Sequence, residues 1–141
     1  MLRVVIDPGV LVAARLSGRG APAELIRRWL GGQIDIIVSP LLLEELEEVL
    51  HRPTFRRWLA PEEADAYVEF LRTHATLVDD PPREEGHTPD PDDDYQVALA
   101  RGARADLLVS GDRDLVTLDD PHPPVRTPRA LIDFLDHMER P

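Results

Sequence analysis

With 141 residues and 43% hydrophobic side chains, the chain can bury roughly two-thirds of its unfolded surface around one core, so a single domain over residues 1–141 is expected. The absence of cysteine excludes a disulfide framework and any thiolate metal site. No apolar stretch nears the roughly 20 residues of a membrane-spanning helix, and no signal-peptide pattern follows the first apolar run, so a soluble, cytoplasmic protein with no membrane partner is expected.

Leu2 to Ile6 is a short β-branched run ending in Asp7, and Asp7-Pro8-Gly9 reads as a break, which predicts a buried strand with a turn at its carboxyl end. Pro22 then opens a helix whose apolar face is Leu25, Ile26, Trp29 and Leu30, stopped by Gly31-Gly32. Ile34 to Val38 is a second strand, and Ser39-Pro40 reads as an N-cap followed by proline at the first helical position. The next helix buries Leu42, Leu46, Val49 and Leu50. Pro53 breaks it, and a short segment with Phe55 and Trp58 leads to a helix begun at Pro61 with Ala64, Tyr67, Val68 and Leu71 on its apolar face. Both tryptophans are expected in the core.

Ala75 to Val78 reads as a third strand, and the proline- and acid-rich stretch from Asp79 to Asp94 as a loop. A helix from about Asp92 to Ala103 precedes a buried strand at Leu107 to Val109, closed by Ser110-Gly111-Asp112. Val125 is expected on an edge strand, and Leu131, Phe134, Leu135 and Met138 along the last helix. Strands separated by helices imply right-handed crossovers. The expected fold is therefore α/β, a three-layer α/β/α sandwich around a mostly parallel sheet of about five strands. Ligands of such sheets gather outside the carboxyl ends of the strands.

Asp7 closes the first strand, and Asp112 and Asp114 follow the strand at Leu107, so carboxylates from distant parts of the sequence fall on one rim. Asp94 lies in the first turn of the intervening helix, where an acid also offsets the helix dipole, as Asp90, Asp92 or Asp93 would. Among the four glutamates of the Pro40 helix, about 100° per residue places Glu44 and Glu48 opposite the apolar stripe. Glu45 and Glu47 flank it, where a side chain reaches a cleft beside the core; an ordinary solvated helix face explains all four as well. Hard divalent cations such as Mg²⁺ take oxygen ligands, retain waters and complete their shell with substrate phosphate. Converging carboxylates repel one another without such an ion.

These runs, VVIDPGVLVAA, SPLLLEELEEVL and DDDYQVALARGARADLLVSGDRDL, together resemble the PIN-domain family, specifically its small bacterial members that act as toxins of toxin-antitoxin systems. The resemblance covers nearly the whole chain in order. It implies an endoribonuclease that hydrolyses RNA phosphodiester bonds with Mg²⁺ or Mn²⁺. The family's acids match Asp7, Glu45, Asp94 and Asp112, as catalytic and metal-binding residues. Asp114 is a substitute or supporting acid, and Ser110 sits where the family has a Thr or Ser that orients an acid or a water. An RNA substrate, a cognate antitoxin and a homodimer are the implied partners.

One motif departs from the family. The usual Asp-Thr-Asn-Val is here Asp7-Pro8-Gly9-Val10, which removes a hydroxyl and an amide side chain beside the first acid; losses of such supporting groups weaken metal sites by 10- to 100-fold, on the order seen elsewhere. Weaker metal binding, with the acids retained, is expected. The net charge of −11 also opposes a polyanionic partner. All 16 basic residues are arginine, suited to bidentate phosphate contact, although genome composition accounts for that equally well. The alternative class is thus a PIN-like module that binds RNA or protein with weak or no catalysis. Other chemistries lack their residues: the five histidines form no i, i+4 pair, and neither a G-x-S-x-G turn nor a phosphate-cradling loop occurs. A receiver- or phosphatase-like site would want a second acid at position 9 or a late lysine, and has neither.

Overall fold

The computed structural model describes residues 1–82, 91–119 and 121–139, with backbone alone at 91–94. Strand β1 (Leu2–Ile6) is followed by helix α1 (Pro8–Leu16). Here the expected break at Asp7-Pro8-Gly9 is corrected. Asp7 N-caps the helix by accepting the Gly9 N–H at 2.9 Å, and Pro8 takes the first helical position, where its missing N–H would have been unsatisfied anyway. Val10, Leu11 and Val12 are the buried hydrophobic residues of this helix of about two and a half turns.

Helix α2 (Ala21–Leu30) and strand β2 (Ile34–Val38) complete the first crossover, with Gly32 at φ +82° in the turn between them. Helix α3 (Pro40–Leu50) begins as its sequence predicts, with the Ser39 hydroxyl accepting the Leu42 N–H. A short 3-10 turn, Pro53–Phe55, leads into α4 (Pro61–His74), and β3 (Thr76–Leu77) closes the second crossover. Helix α5 (Pro91–Gly102), β4 (Leu107–Val109), α6 (Arg113–Val116), β5 (Val125–Arg126) and α7 (Pro128–Glu139) follow. Like α1, the single turn of α6 has no counterpart in the sequence reading.

All five strands are parallel, in the order β3-β2-β1-β4-β5. The chain crosses the sheet one way from β1 to β3 and the other way from β3 to β5, so right-handed crossovers put α1 to α4 over one face and α5 and α6 over the other. Packing agrees: α1 lies against α2 and α3, α3 against α4, α2 against α7, and α5 against β1 and β4. Val4, Val5, Ile6, Ile36, Ile37, Leu108 and Val109 are buried between the layers, which is why the strands read as continuous apolar runs. Leu30, Phe134 and Met138 were expected on apolar faces but are exposed, while Leu43 and Ile132 are buried in addition to the stripes. Trp29 is in the core, with its ring edge-on to Phe70. Trp58 is not: it is 63% exposed beside the Arg57 guanidinium, because the loop after the 3-10 turn runs outside the helical layer. Among the described residues no helix is long and apolar enough to cross a membrane.

Candidate functional site

The switch in strand order between β1 and β4 opens a crevice at their carboxyl ends, the place where parallel sheets of this type bind ligands. The register pairs Ile6 with Val109, and the Asp7 N–H donates to the Val109 carbonyl at 2.8 Å. The next rung therefore sets Asp7 beside Ser110. The buried Ser110 hydroxyl donates to Asp7 Oδ2 at 2.7 Å and accepts the Asp112 N–H at 3.0 Å, so one oxygen links both strand-end acids. Asp7 Oδ1 accepts from Gly9, and Asp112 Oδ1 accepts the Asp114 N–H at 2.9 Å as the N-cap of α6. Both carboxylates are half-buried, and Asp114 itself is exposed.

Glu45 enters from α3. It is half-buried, whereas Glu44, Glu47 and Glu48 are exposed, because Glu45 borders the stripe of Leu42 and Leu46 on the side that faces the sheet edge. Its Oε2 accepts the Tyr95 hydroxyl of α5 at 2.6 Å. Tyr95 holds its proton far more tightly than a free phenol, first because it is buried, then through the hydrogen bond and charge of Glu45, and further through the charges of Asp7 and Asp80. Tyr95 and Glu45 are thus in direct contact, with Asp7 and Asp80 near enough for their charges to act on the phenol. Asp94 immediately precedes Tyr95 in the first turn of α5; its side chain, like those of Asp92 and Asp93, lies outside the described residues, as does the whole of Asp90.

Two participants were not singled out by the sequence. Asp80 lies just beyond β3, whose ladder continues with the Val78 N–H donating to Val38, and its Oδ2 accepts the Leu41 N–H at 2.9 Å. The strand-end rule that selected Asp7 and Asp112 would have found it, had the acid-rich stretch not been read as loop throughout. Tyr95 carries no signal of its own beyond its place after Asp94.

The donors assembled here are all oxygen atoms, the set that hard divalent cations prefer. Among the described residues neither Asp7 nor Asp112 is ion-paired to an arginine, in a chain with 16 basic residues. Carboxylates brought together without a protein cation repel, and the repulsion is relieved by a bound one. The chemistry of this donor set thus suits Mg²⁺ or Mn²⁺, although among the described residues Asp7, Glu45 and Asp112 do not form a trio with ligand atoms within 4.8 Å of one another. A separate group, Glu47, His51 and Asp65, lies on the solvent side of α3 and α4 with its ligand atoms within 4.8 Å of one another. It shares no residue with the crevice, and its His51 Nε2 to Asp65 Oδ1 contact of 2.7 Å is a surface pair of the kind worth about 0–1 kcal/mol. A cavity of about 280 Å³ lined by Leu2, Leu107, Arg126, Leu131 and Phe134 lies at the opposite, amino edge of the sheet and is mostly apolar.

Comparison with known proteins agrees with this architecture. The chain is 24% identical to an uncharacterized protein of Methanocaldococcus jannaschii over 141 residues, which is 94% of this chain and 90% of that one. In structure it is similar to the VapBC2 complex of Rickettsia felis, solved with a DNA fragment from its promoter (TM-score 0.63, 12% identity, 89% of this chain and 98% of that chain). It is also similar to VapC20 of Mycobacterium tuberculosis, described as a toxin that cleaves the sarcin-ricin loop (TM-score 0.56, 15% identity, 83% and 97%). The sequence model of the PIN domain matches residues 3–114, from β1 through Asp7, Glu45, Asp94, Ser110 and Asp112 to Asp114, and the chain therefore belongs to the PIN-domain family.

Proposed function

We propose that the protein is a metal-dependent endoribonuclease that hydrolyses RNA phosphodiester bonds, acting as the toxin of a toxin-antitoxin pair, with residues 1–141 forming one catalytic domain in the cytoplasm. The observation that carries this reading is the join of Asp7 to Asp112 through Ser110 at the sheet's switch point, with Glu45 facing the same crevice. Asp7, Glu45, Asp94 and Asp112 would hold Mg²⁺ or Mn²⁺, with Asp114 in support. When bound, such an ion lowers the pKa of a water and offsets charge developing on the phosphate. In the reaction the water oxygen bonds to phosphorus, the bond to the leaving ribose oxygen breaks, and that oxygen takes up a proton.

The protein groups act by orientation. Gly9 N–H and Ser110 Oγ fix the two oxygens of Asp7, and the Asp114 N–H fixes one oxygen of Asp112. The likeness to VapBC2 and VapC20 supports an antitoxin partner and an RNA substrate for this chain, and a homodimer is part of the same reading. Because the site is acidic in a chain of net charge −11, an arginine-bearing antitoxin segment is the partner chemistry it suits.

The test is cleavage of structured and single-stranded RNA with Mn²⁺, against EDTA and the Asp94→Ala protein. Cutting that requires Mn²⁺ and is lost in Asp94→Ala supports the assignment. Cutting that survives Asp94→Ala overturns the site. A second reading, an RNA- or protein-binding module without catalysis, is favoured by Gly9, which brings no side chain of its own to Asp7 where the family motif carries an asparagine; RNA retention with no cutting under any divalent metal would select it.

A further inference from the structure

We propose that Tyr95 is a positioning residue of the carboxylate centre: its hydroxyl, donated to Glu45 Oε2 at 2.6 Å, holds the glutamate carboxylate toward the strand-edge acids. This rests on the reading of the crevice as a divalent metal site. Glu45 is the one acid of the centre that reaches it from a helix on a three-torsion side chain, whereas Asp7 and Asp112 are short and pinned by neighbouring N–H and O–H groups. A three-torsion side chain loses rotamer freedom when it is fixed on an ion. Tyr95 removes part of that freedom beforehand. A tyrosine suits the task because its ring is anchored against the core while its hydroxyl reaches the edge.

The same bond spans the molecule. Glu45 belongs to α3 on one face of the sheet and Tyr95 to α5 on the other, and the two meet over the carboxyl edge. Asp94 is the preceding residue in α5, so the anchor that orients Glu45 also fixes the backbone from which Asp94 projects. A supporting hydrogen bond of this kind acts through the ligand it orients, and its loss weakens metal affinity by 10- to 100-fold, on the order found at other metal centres.

The experiment measures Mn²⁺ alone, by isothermal titration, on the full chain and its Tyr95→Phe, Glu45→Gln and double variants, with Asp7→Asn as the control for the site. Tyr95→Phe is expected to weaken Mn²⁺ binding about 10- to 100-fold, with a metal-free melting temperature near that of the parent. In the Glu45→Gln background the same substitution is expected to have little further effect, since its action runs through the carboxylate. Unchanged affinity in Tyr95→Phe, or an equal loss in the Glu45→Gln background, overturns the proposal while leaving the metal site standing if Asp7→Asn abolishes binding. Absence of Mn²⁺ binding by the parent overturns both. Should Tyr95→Phe fold poorly, Tyr67→Phe leaves Tyr95 as the only tyrosine, and a change of its near-ultraviolet signal on Mn²⁺ addition is expected; no change counts against the proposal.

Discussion

Ser110 Oγ lies 2.7 Å from Asp7 Oδ2 although the two residues are 103 apart in sequence. Parallel pairing of β1 with β4 brings them together, and the fully buried serine also accepts the Asp112 N–H. Ser110→Ala deletes both bonds and leaves the Asp7 carboxylate held on one oxygen, by the Gly9 N–H. A loss of about 1–2 kcal/mol in stability is expected, since one of the two bonds is to an ionised group. A fall of 10- to 100-fold in Mn²⁺ affinity is also expected, on the order found for supporting groups. Urea unfolding and metal titration check the two separately. If stability falls while affinity holds, the serine serves the fold and not the site.

The acids of the rim were legible because strand ends are legible. β-branched runs at Leu2 and Leu107 stop abruptly at Asp7 and Ser110, and a parallel sheet sends both stops to the same edge. Helix phase narrowed the four glutamates of α3 to Glu45 and Glu47, which flank the apolar stripe, and the family motif chose Glu45 between them. What stayed hidden depended on contacts made across the sheet. Asp80 and Tyr95 gain their meaning from partners 39 and 50 residues away; nothing local marks Tyr95, and the strand-end position of Asp80 was masked by the acid-rich stretch that follows it. Helix α1 was missed for a different reason: a proline after an aspartate signals a turn and a helix start equally, and the capping bond to Gly9 decides between them. Trp58 shows the converse failure, an apolar residue whose type predicts burial and whose loop position denies it.

Gly9 is open to substitution. A Cβ built there would meet only Asp7 Oδ1, at an ordinary 3.6 Å, and its position at the start of α1 has no need of a left-handed backbone. Gly9→Asn is expected to stabilise the protein by about 0.4–1 kcal/mol through the unfolded chain. It also supplies the amide beside Asp7 that the family motif carries, so tighter Mn²⁺ binding is expected. Thermal melts with and without Mn²⁺ check it: a rise in metal-free stability with unchanged affinity would show that the amide does not reach the site.

Gln96 is 2% exposed, and among the described residues its Oε1 has no hydrogen-bond partner. A buried unsatisfied carbonyl oxygen costs about 1–3 kcal/mol. Gln96→Met keeps the length of the side chain and removes the polar atom, so the variant is expected to melt higher than the parent if the glutamine has a purely structural place in α5. The discriminating measurement pairs the melt with RNA cleavage. A gain in stability with full activity makes Gln96 an inert residue, whereas a gain accompanied by lost activity would assign its amide to the crevice beside Tyr95.

Glu63 makes the acid limb of stability predictable in sign. Its carboxylate accepts the Ala60 N–H at 3.0 Å and pairs with Arg15 at 3.1 Å, and these, the backbone bond first, hold its pKa below the ordinary 4.5. A lowered folded value means that the charged form is favoured by folding. The contribution is therefore complete above 4.5 and is lost as pH falls through the lowered value. Glu63→Gln keeps an acceptor for Ala60 and removes only the charge. It is expected to be less stable than the parent at neutral pH, with the gap closing as the pH falls through the lowered value and shrinking with added salt, which screens an exposed pair such as Arg15 and Glu63. A gap that stayed constant across that range would assign the stabilisation to the capping bond alone, and Arg15 would then contribute nothing to the way α4 is fastened to α1.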